Sequence, residues 1–177
     1  MFVIETARLL LRDMRLSDEA DYIAMTRHPD YQRFYSEADC EPAKYKELTR
    51  LFVAQAQAKE RTAYQLAVVH KQHQAFIGTV SLRLETDRQA AMGCGLSVDY
   101  QGQGLMHEAA MALAVFGFDQ LKIDRLYAET ISENKAAIQL CVSLGMETDG
   151  PLTKDRFFKG RWWHTQVLAV RADQFRQ

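Results

Sequence analysis

The chain has 177 residues, 47% of them hydrophobic, a length that suits one domain with a substantial core. Its formal net charge is -1, without the basic excess that nucleic-acid binders use to neutralise phosphates. Cys40, Cys94 and Cys141 are an odd number with no Cys-x-x-Cys spacing, which argues against a disulfide framework or a structural zinc site and for a reducing, cytoplasmic setting.

Taken in chain order, the apolar start ends at Ile4, too short for a signal peptide, and no later run is long enough to span a bilayer. Residues 6–14, TARLLLRDM, read as a strand. Ser17 is the expected N-cap of a helix reaching about Thr26, and His28-Pro29-Asp30 breaks it. A second helix starts near Pro42, with Leu48, Leu51 and Phe52 on one face. Strands at 63–70 and 75–85 flank the polar turn Lys71-Gln72-His73-Gln74 as a hairpin. A third strand is expected at 90–99, with Gly93 and Gly95 marking a bulge or a close approach. A helix from about Leu105 to Leu121, a strand at 124–131 and a helix at 133–145 closed by Gly145 come next. Two strands near 147–158 and 161–171 finish a mixed α+β order, largely an antiparallel meander with strand–helix–strand units in its second half.

The stretch VDYQGQGLMHEA, 98–109, sets two glycines between an apolar strand and a run of strong helix formers. It is not a dinucleotide fingerprint, because His107 stands where the third glycine or alanine belongs. It is not a P-loop, because Gly-Lys-Ser/Thr is absent. The glycines alone would suit a plain tight turn. The helix that follows adds amides at Gly104, Leu105 and Met106 with no carbonyl partner, and a dipole at the same place, which together suit an anion.

With GCGLSVDYQGQGLMHEA followed by RLYAETISENKAAIQLCVSLGM, the chain resembles the GNAT superfamily of N-acetyltransferases, and within it the RimJ/RimL branch that includes ribosomal-protein alanine N-acetyltransferases. The family's pyrophosphate motif, Gln/Arg-x-x-Gly-x-Gly/Ala, falls on residues 99–104. Its second motif falls on Asn134, Ala137, Leu140, Gly145 and Met146. The opening IETARLLLRDMRLSDEADY and the late KGRWWHTQVLAV extend the likeness over nearly the whole chain.

The resemblance implies a three-layer α+β fold, a mostly antiparallel central sheet with one splayed parallel strand pair and helices on both faces. Acetyl-CoA would lie in that V, its pantetheine along Leu96, Ser97 and Val98, and its diphosphate on the loop Gln101, Gly102, Gln103, Gly104, Leu105, Met106 and His107. Asn134 would bond the pantetheine arm, with Lys135 beside it. The acetyl group would pass directly to a primary amine, a protein N-terminus or a small molecule, with no covalent enzyme intermediate and no metal. Oligomeric state, monomer or homodimer, stays open, and neither nucleic acid nor membrane is an implied partner.

The departures from the family pattern are specific. Asp99 stands where the motif has Gln or Arg, and Gln101 and Gln103 where basic residues are frequent, so the cradle would rest on amides and dipole. His107 replaces a common Thr and reads as a solvated first-turn residue or as a phosphate contact. Cys141 occupies the position of a tyrosine general acid. It reads as the acid itself, as a bystander to a water, or as a small core residue. Glu85 and Glu129 are candidate acceptors of the amine proton, and Phe34, Tyr35 and Trp162 are candidate acceptor-pocket residues. His70 and His73 read as a solvated turn, since a metal pair lacks a third ligand nearby. The missing tyrosine leaves a second function open: a non-catalytic acetyl-CoA sensor or interaction module on the same fold.

Overall fold

A computed structural model describes residues 1–175. β1 (Val3–Glu5), β2 (Leu9–Asp13), β3 (Ala63–His70), β4 (Ala75–Leu84) and β5 (Gln89–Leu96) form an antiparallel meander. β6 (Arg125–Ile131) joins β5 in parallel. β7 (Glu147–Thr148) and β8 (Thr153–Phe158) both pair antiparallel with one side of the long last strand, β9 (Arg161–Arg171), whose other side pairs with β6. α1 (Glu19–Thr26) and α3 (Pro42–Ala56) pack on one face of the sheet, joined through the short α2 (Pro29–Gln32). α4 (Leu105–Asp119) and α5 (Lys135–Ser143) pack on the other.

The α4 sequence explains its seat. Leu105, Met106, Ala109, Ala110, Leu113, Ala114, Gly117 and Phe118 recur at helical spacing and are buried. Alanine in that stripe lets the helix axis approach the sheet closely. Leu9, Leu66, Val80, Leu82 and Leu126 meet it from the strands with no exposed surface. Each such burial contributes about 1.5–3 kcal/mol.

Several boundaries differ from the sequence reading, for local reasons. Ser17 is exposed and is not the cap: a short 3₁₀ turn, Leu16–Asp18, leads into α1. The buried Asp18 carboxylate takes the Arg15 N–H at 2.8 Å and both Arg12 guanidinium nitrogens at 2.8 Å. The strand expected at 90–99 stops at Leu96, and Val98–Tyr100 is a 3₁₀ turn. The helix expected from 133 starts at Lys135, with Asn134 as its N-cap. The stretch expected as one strand near 147–158 divides into β7 and β8.

The feature that positions the site is the parallel pair. β5 and β6 are in register over three residues, Gln89 with Arg125, Ala90 with Leu126 and Ala91 with Tyr127, and then part. Each strand keeps hydrogen bonds on its outer side, β5 to β4 and β6 to β9, so the V costs few backbone bonds.

Candidate active site

Gly102 and Gly104 lie at φ 76° and 75°, a left-handed backbone that glycine adopts without strain. No side chain caps α4, and its first internal bond runs from the Glu108 N–H to the Gly104 carbonyl at 3.1 Å. The N–H groups of Leu105, Met106 and His107 therefore have no carbonyl partner within the helix. A Cβ on Gly102 would meet nothing within 4 Å, so the loop faces open space. Unpaired amides, the positive end of a helix and room beside them fit a diphosphate.

The loop also has a full positive charge at hand, from a residue that the sequence reading passed over. Arg8, at the start of β2, donates from Nη1 to the Gln103 carbonyl at 2.9 Å and from Nε to Glu108 at 2.7 Å. Its Nη2 stands 3.6 Å from where a Gly104 Cβ would be. Glu108 would otherwise set a negative charge in the first turn. Burial works to raise its carboxyl, but bonds from the Thr6 hydroxyl and from Arg8 outweigh that and hold it below its ordinary value. No local sequence signal could have shown this, because Arg8 and Gln103 meet only through the sheet.

Along the V, the Ser97 N–H bonds the Ile77 carbonyl at 2.7 Å, so odd-numbered residues of β5 face β4. Past the split, the N–H and C=O groups of Met92, Cys94 and Leu96 face the gap. This corrects the expected edge: Leu96 stays on it, but Ser97 is spent on β4 and the Val98 carbonyl takes the Gln101 N–H at 3.3 Å. The Gln101 side chain donates to the Leu96 carbonyl at 3.2 Å.

Midway along the gap, two phenols and two thiols converge. The Tyr31 hydroxyl presses on Gly95, within 2.4 Å of where a Cβ would sit, and only glycine leaves room for it. Tyr31 stacks on Tyr35 with ring centroids 5.3 Å apart. Burial raises the Tyr35 phenol, and the neighbouring Cys94 adds to the shift. Cys94 is open to the gap yet ringed by protein, and desolvation with Cys141 nearby pushes its thiol up to about 12. Cys141 is buried, with its thiol raised to about 11 by desolvation. All of these groups keep their protons at neutral pH.

Beside that midpoint opens a pocket of about 180 Å³. The α2–α3 connection supplies Phe34, Tyr35, Ser36 and Asp39; β6 supplies Glu129; β8 supplies Arg156 and Phe158. Asn134 also lines it: its Oδ1 accepts the Ala137 N–H at 3.2 Å, which leaves the amide NH₂ to face a ligand. Phe158 stacks on Trp163 at 4.9 Å, and Trp163 meets Phe34 edge-on at 6.1 Å. The connection is strapped down where the Lys159 N–H bonds Glu37 and its ammonium bonds the Gln32 carbonyl, both at 2.6 Å.

Four expected site residues are placed elsewhere. Glu85 accepts from the Tyr127 hydroxyl at 2.9 Å at the closed end of the V. Trp162 is exposed and packs on Phe157 away from the pocket, while Trp163 is the tryptophan that buttresses it. The Lys135 ammonium bonds the Ser132 carbonyl at 2.9 Å. His107 is an exposed first-turn residue, the first of its two readings, and its Nδ1 is turned to Ser143 Oγ at 2.8 Å, tying α4 to α5. Ser143 gives its proton to the Leu140 carbonyl, so it accepts from Nδ1–H. Among the described residues, no group of three or more His, Cys, Asp or Glu side chains is placed to hold a metal, and no helix is long and apolar enough to cross a membrane.

Comparison with known proteins agrees with this geometry. The family described as acetyltransferase (GNAT) domain matches residues 8–147. An uncharacterized N-acetyltransferase of Bacillus licheniformis, p20, is 29% identical over 174 residues, 91% of each chain. The [ribosomal protein uS5]-alanine N-acetyltransferase of Escherichia coli is 25% identical over 175 residues, 94% of this chain and 89% of its own. The Vibrio cholerae spermidine N-acetyltransferase solved with CoA and spermine shares the fold at a TM-score of 0.80 and 20% identity, covering 96% of this chain and 98% of its own. The chain belongs to the GNAT acetyltransferases, a family of acetyl-CoA-dependent acyltransferases.

Proposed function

We propose that this GNAT enzyme transfers the acetyl group of acetyl-CoA directly to a primary amine seated in the aromatic pocket beside Glu129. The observation that carries the reading is the succession of three parts: an uncapped helix start behind two left-handed glycines, an open strand edge, and a pocket joined to that edge through Tyr35, which lines the pocket and neighbours Cys94. Acetyl-CoA supplies the activated acyl group. The amides of residues 104–107 and Arg8 would hold its diphosphate, and the β5 edge at Met92, Cys94 and Leu96 its pantetheine. Asn134 reaches the same arm from the far strand. The arrangement fixes amine and thioester in one approach, which is the larger part of what such a transfer needs.

Among the described residues, the Glu129 side chain makes no hydrogen bond or ion pair, and it lines the pocket next to the V, so it receives the amine proton directly or through water. The departing thiolate forms at the midpoint, where Tyr35 and Cys141 both stay protonated. The RimJ/RimL branch fits the N-terminal strand motif and the similarity to the alanine N-acetyltransferase.

The deciding experiment pairs calorimetry with a thiol-release assay. Acetyl-CoA is expected to bind, and CoA to be released when an amine acceptor is present. Binding without release across a broad amine panel would instead support a sensing module, the reading that the cysteine at 141 keeps in play. No binding at all would sink both.

A further inference from the structure

The pocket wall carries two opposite charges, Glu129 and Arg156. Among the described residues, neither side chain makes a hydrogen bond or ion pair, though the Arg156 charge lies near enough to Asp39 to help lower its carboxyl. The third charged side chain on the wall, Asp39, is taken by Lys44. Local structure aims Arg156. β8 carries a bulge between Lys154 and Arg156, so two residues oppose one on β9. The Asp155 carboxylate turns to the Thr165 hydroxyl at 2.7 Å, and Arg156 lines the pocket two residues from Phe158. Bulges beside ligand sites commonly redirect one side chain in this way.

We infer that the acceptor is a small amino carboxylate, its ammonium end received at Glu129 and its carboxylate by the Arg156 guanidinium between the aromatic walls of Phe34 and Phe158. This rests on the acetyl-transfer reading and adds the acceptor's chemical class to it. A guanidinium fork matches a carboxylate in two parallel bonds, and an unpaired one in a pocket selects for that group. A polyamine would bring a second cation against Arg156, with Asp39 already neutralised. The amine of a protein N-terminus carries no adjoining carboxylate. In the transfer, the amine nitrogen bonds the acetyl carbon as the thioester C–S bond breaks. Before that attack the ammonium gives one proton to Glu129 to free its lone pair; after it the nitrogen gives up a second proton, which reaches the departing thiolate through the gap, and the products are an N-acetyl amino carboxylate and CoA, with no change of oxidation state.

The test supplies acetyl-CoA with free amino acids, their decarboxylated counterparts and diamines, follows thiol release, and measures acetyl-CoA affinity by calorimetry alongside. The wild type is expected to use an amino acid well and its decarboxylated counterpart poorly. In R156Q the KM for that amino acid should rise about tenfold or more, the value of a charged hydrogen-bond pair, while acetyl-CoA affinity moves less than about twofold. R156E should shift preference toward the diamine. A wild type that uses the decarboxylated amine or a diamine as well as the amino acid would overturn the inference, as would an R156Q enzyme with an unmoved KM. Those results with intact acetyl-CoA binding leave the acetyl-transfer reading standing; absent acetyl-CoA binding by the wild type overturns both.

Discussion

The end of the cleft that fits the cofactor takes nearly all its donors from main chain: the β5 edge and the amides that open α4 lie within one continuous stretch, 92–107. The acceptor end is made of side chains from five separate places, the α2–α3 connection, β6, the start of α5, β8 and β9. A backbone site tolerates many side chains but demands particular φ angles and open amides, so it leaves a compact glycine pattern. A side-chain site is specified by whichever residues the fold brings together, and it can be rebuilt for a new amine without touching the cofactor half.

The hardest blow to that contrast is aimed at the cofactor half. Gly104→Val adds a branched side chain at φ 75°, where it also strains the turn. Acetyl-CoA affinity should fall by about a hundredfold or more, with a smaller fractional loss of thermal stability, read by calorimetry and a melting curve. An unchanged dissociation constant would mean that the diphosphate lies elsewhere.

Arg8→Gln sharpens the comparison, because Arg8 is the one side chain in an otherwise main-chain cradle as we read it. Its loss should weaken acetyl-CoA about tenfold and reduce the salt dependence of binding. S-acetylpantetheine, which lacks the diphosphate, should bind the variant and the wild type alike. If the fragment weakens equally, Arg8 acts by holding the loop at Gln103 and not by charge.

The smallest effect is expected at the midpoint. Cys141→Ala removes a buried, protonated thiol, while the Tyr35 phenol and water remain beside the gap. The kcat should stay within about threefold. A fall of about a hundredfold with unchanged acetyl-CoA affinity would assign the proton transfer to Cys141.

This division also explains what the sequence revealed. The glycine loop, the α4 helix and the order of strands were legible, because each depends on neighbours in the chain. Met92 and Cys94 were missed as edge residues because which alternate amides face the gap depends on the register with β4, set by the Ser97–Ile77 bond. Arg8 and Arg156 were missed because their roles come from partners found only in three dimensions, Gln103 in one case and a bulge opposite Trp163 in the other. Of the adjacent tryptophans, Trp162 was chosen in place of Trp163, since alternation says that the two face opposite ways but not which way the site lies.

The placement of β9 has a consequence for how the protein comes off the ribosome. β9, the last of the described strands in chain order, is an interior one, inserted between β6 on one side and β7 and β8 on the other. Until residue 161 and beyond emerge, β6 presents an unpaired edge beneath a nascent pocket, and the strap from Lys159 to Gln32 and Glu37 spans up to 127 positions of chain. The glycine loop and α4 can assemble earlier from what has already been made. Until β9 is made, the chain can therefore form its glycine loop and α4 but not the pocket beside β6, and the unpaired β6 edge is open to mispairing.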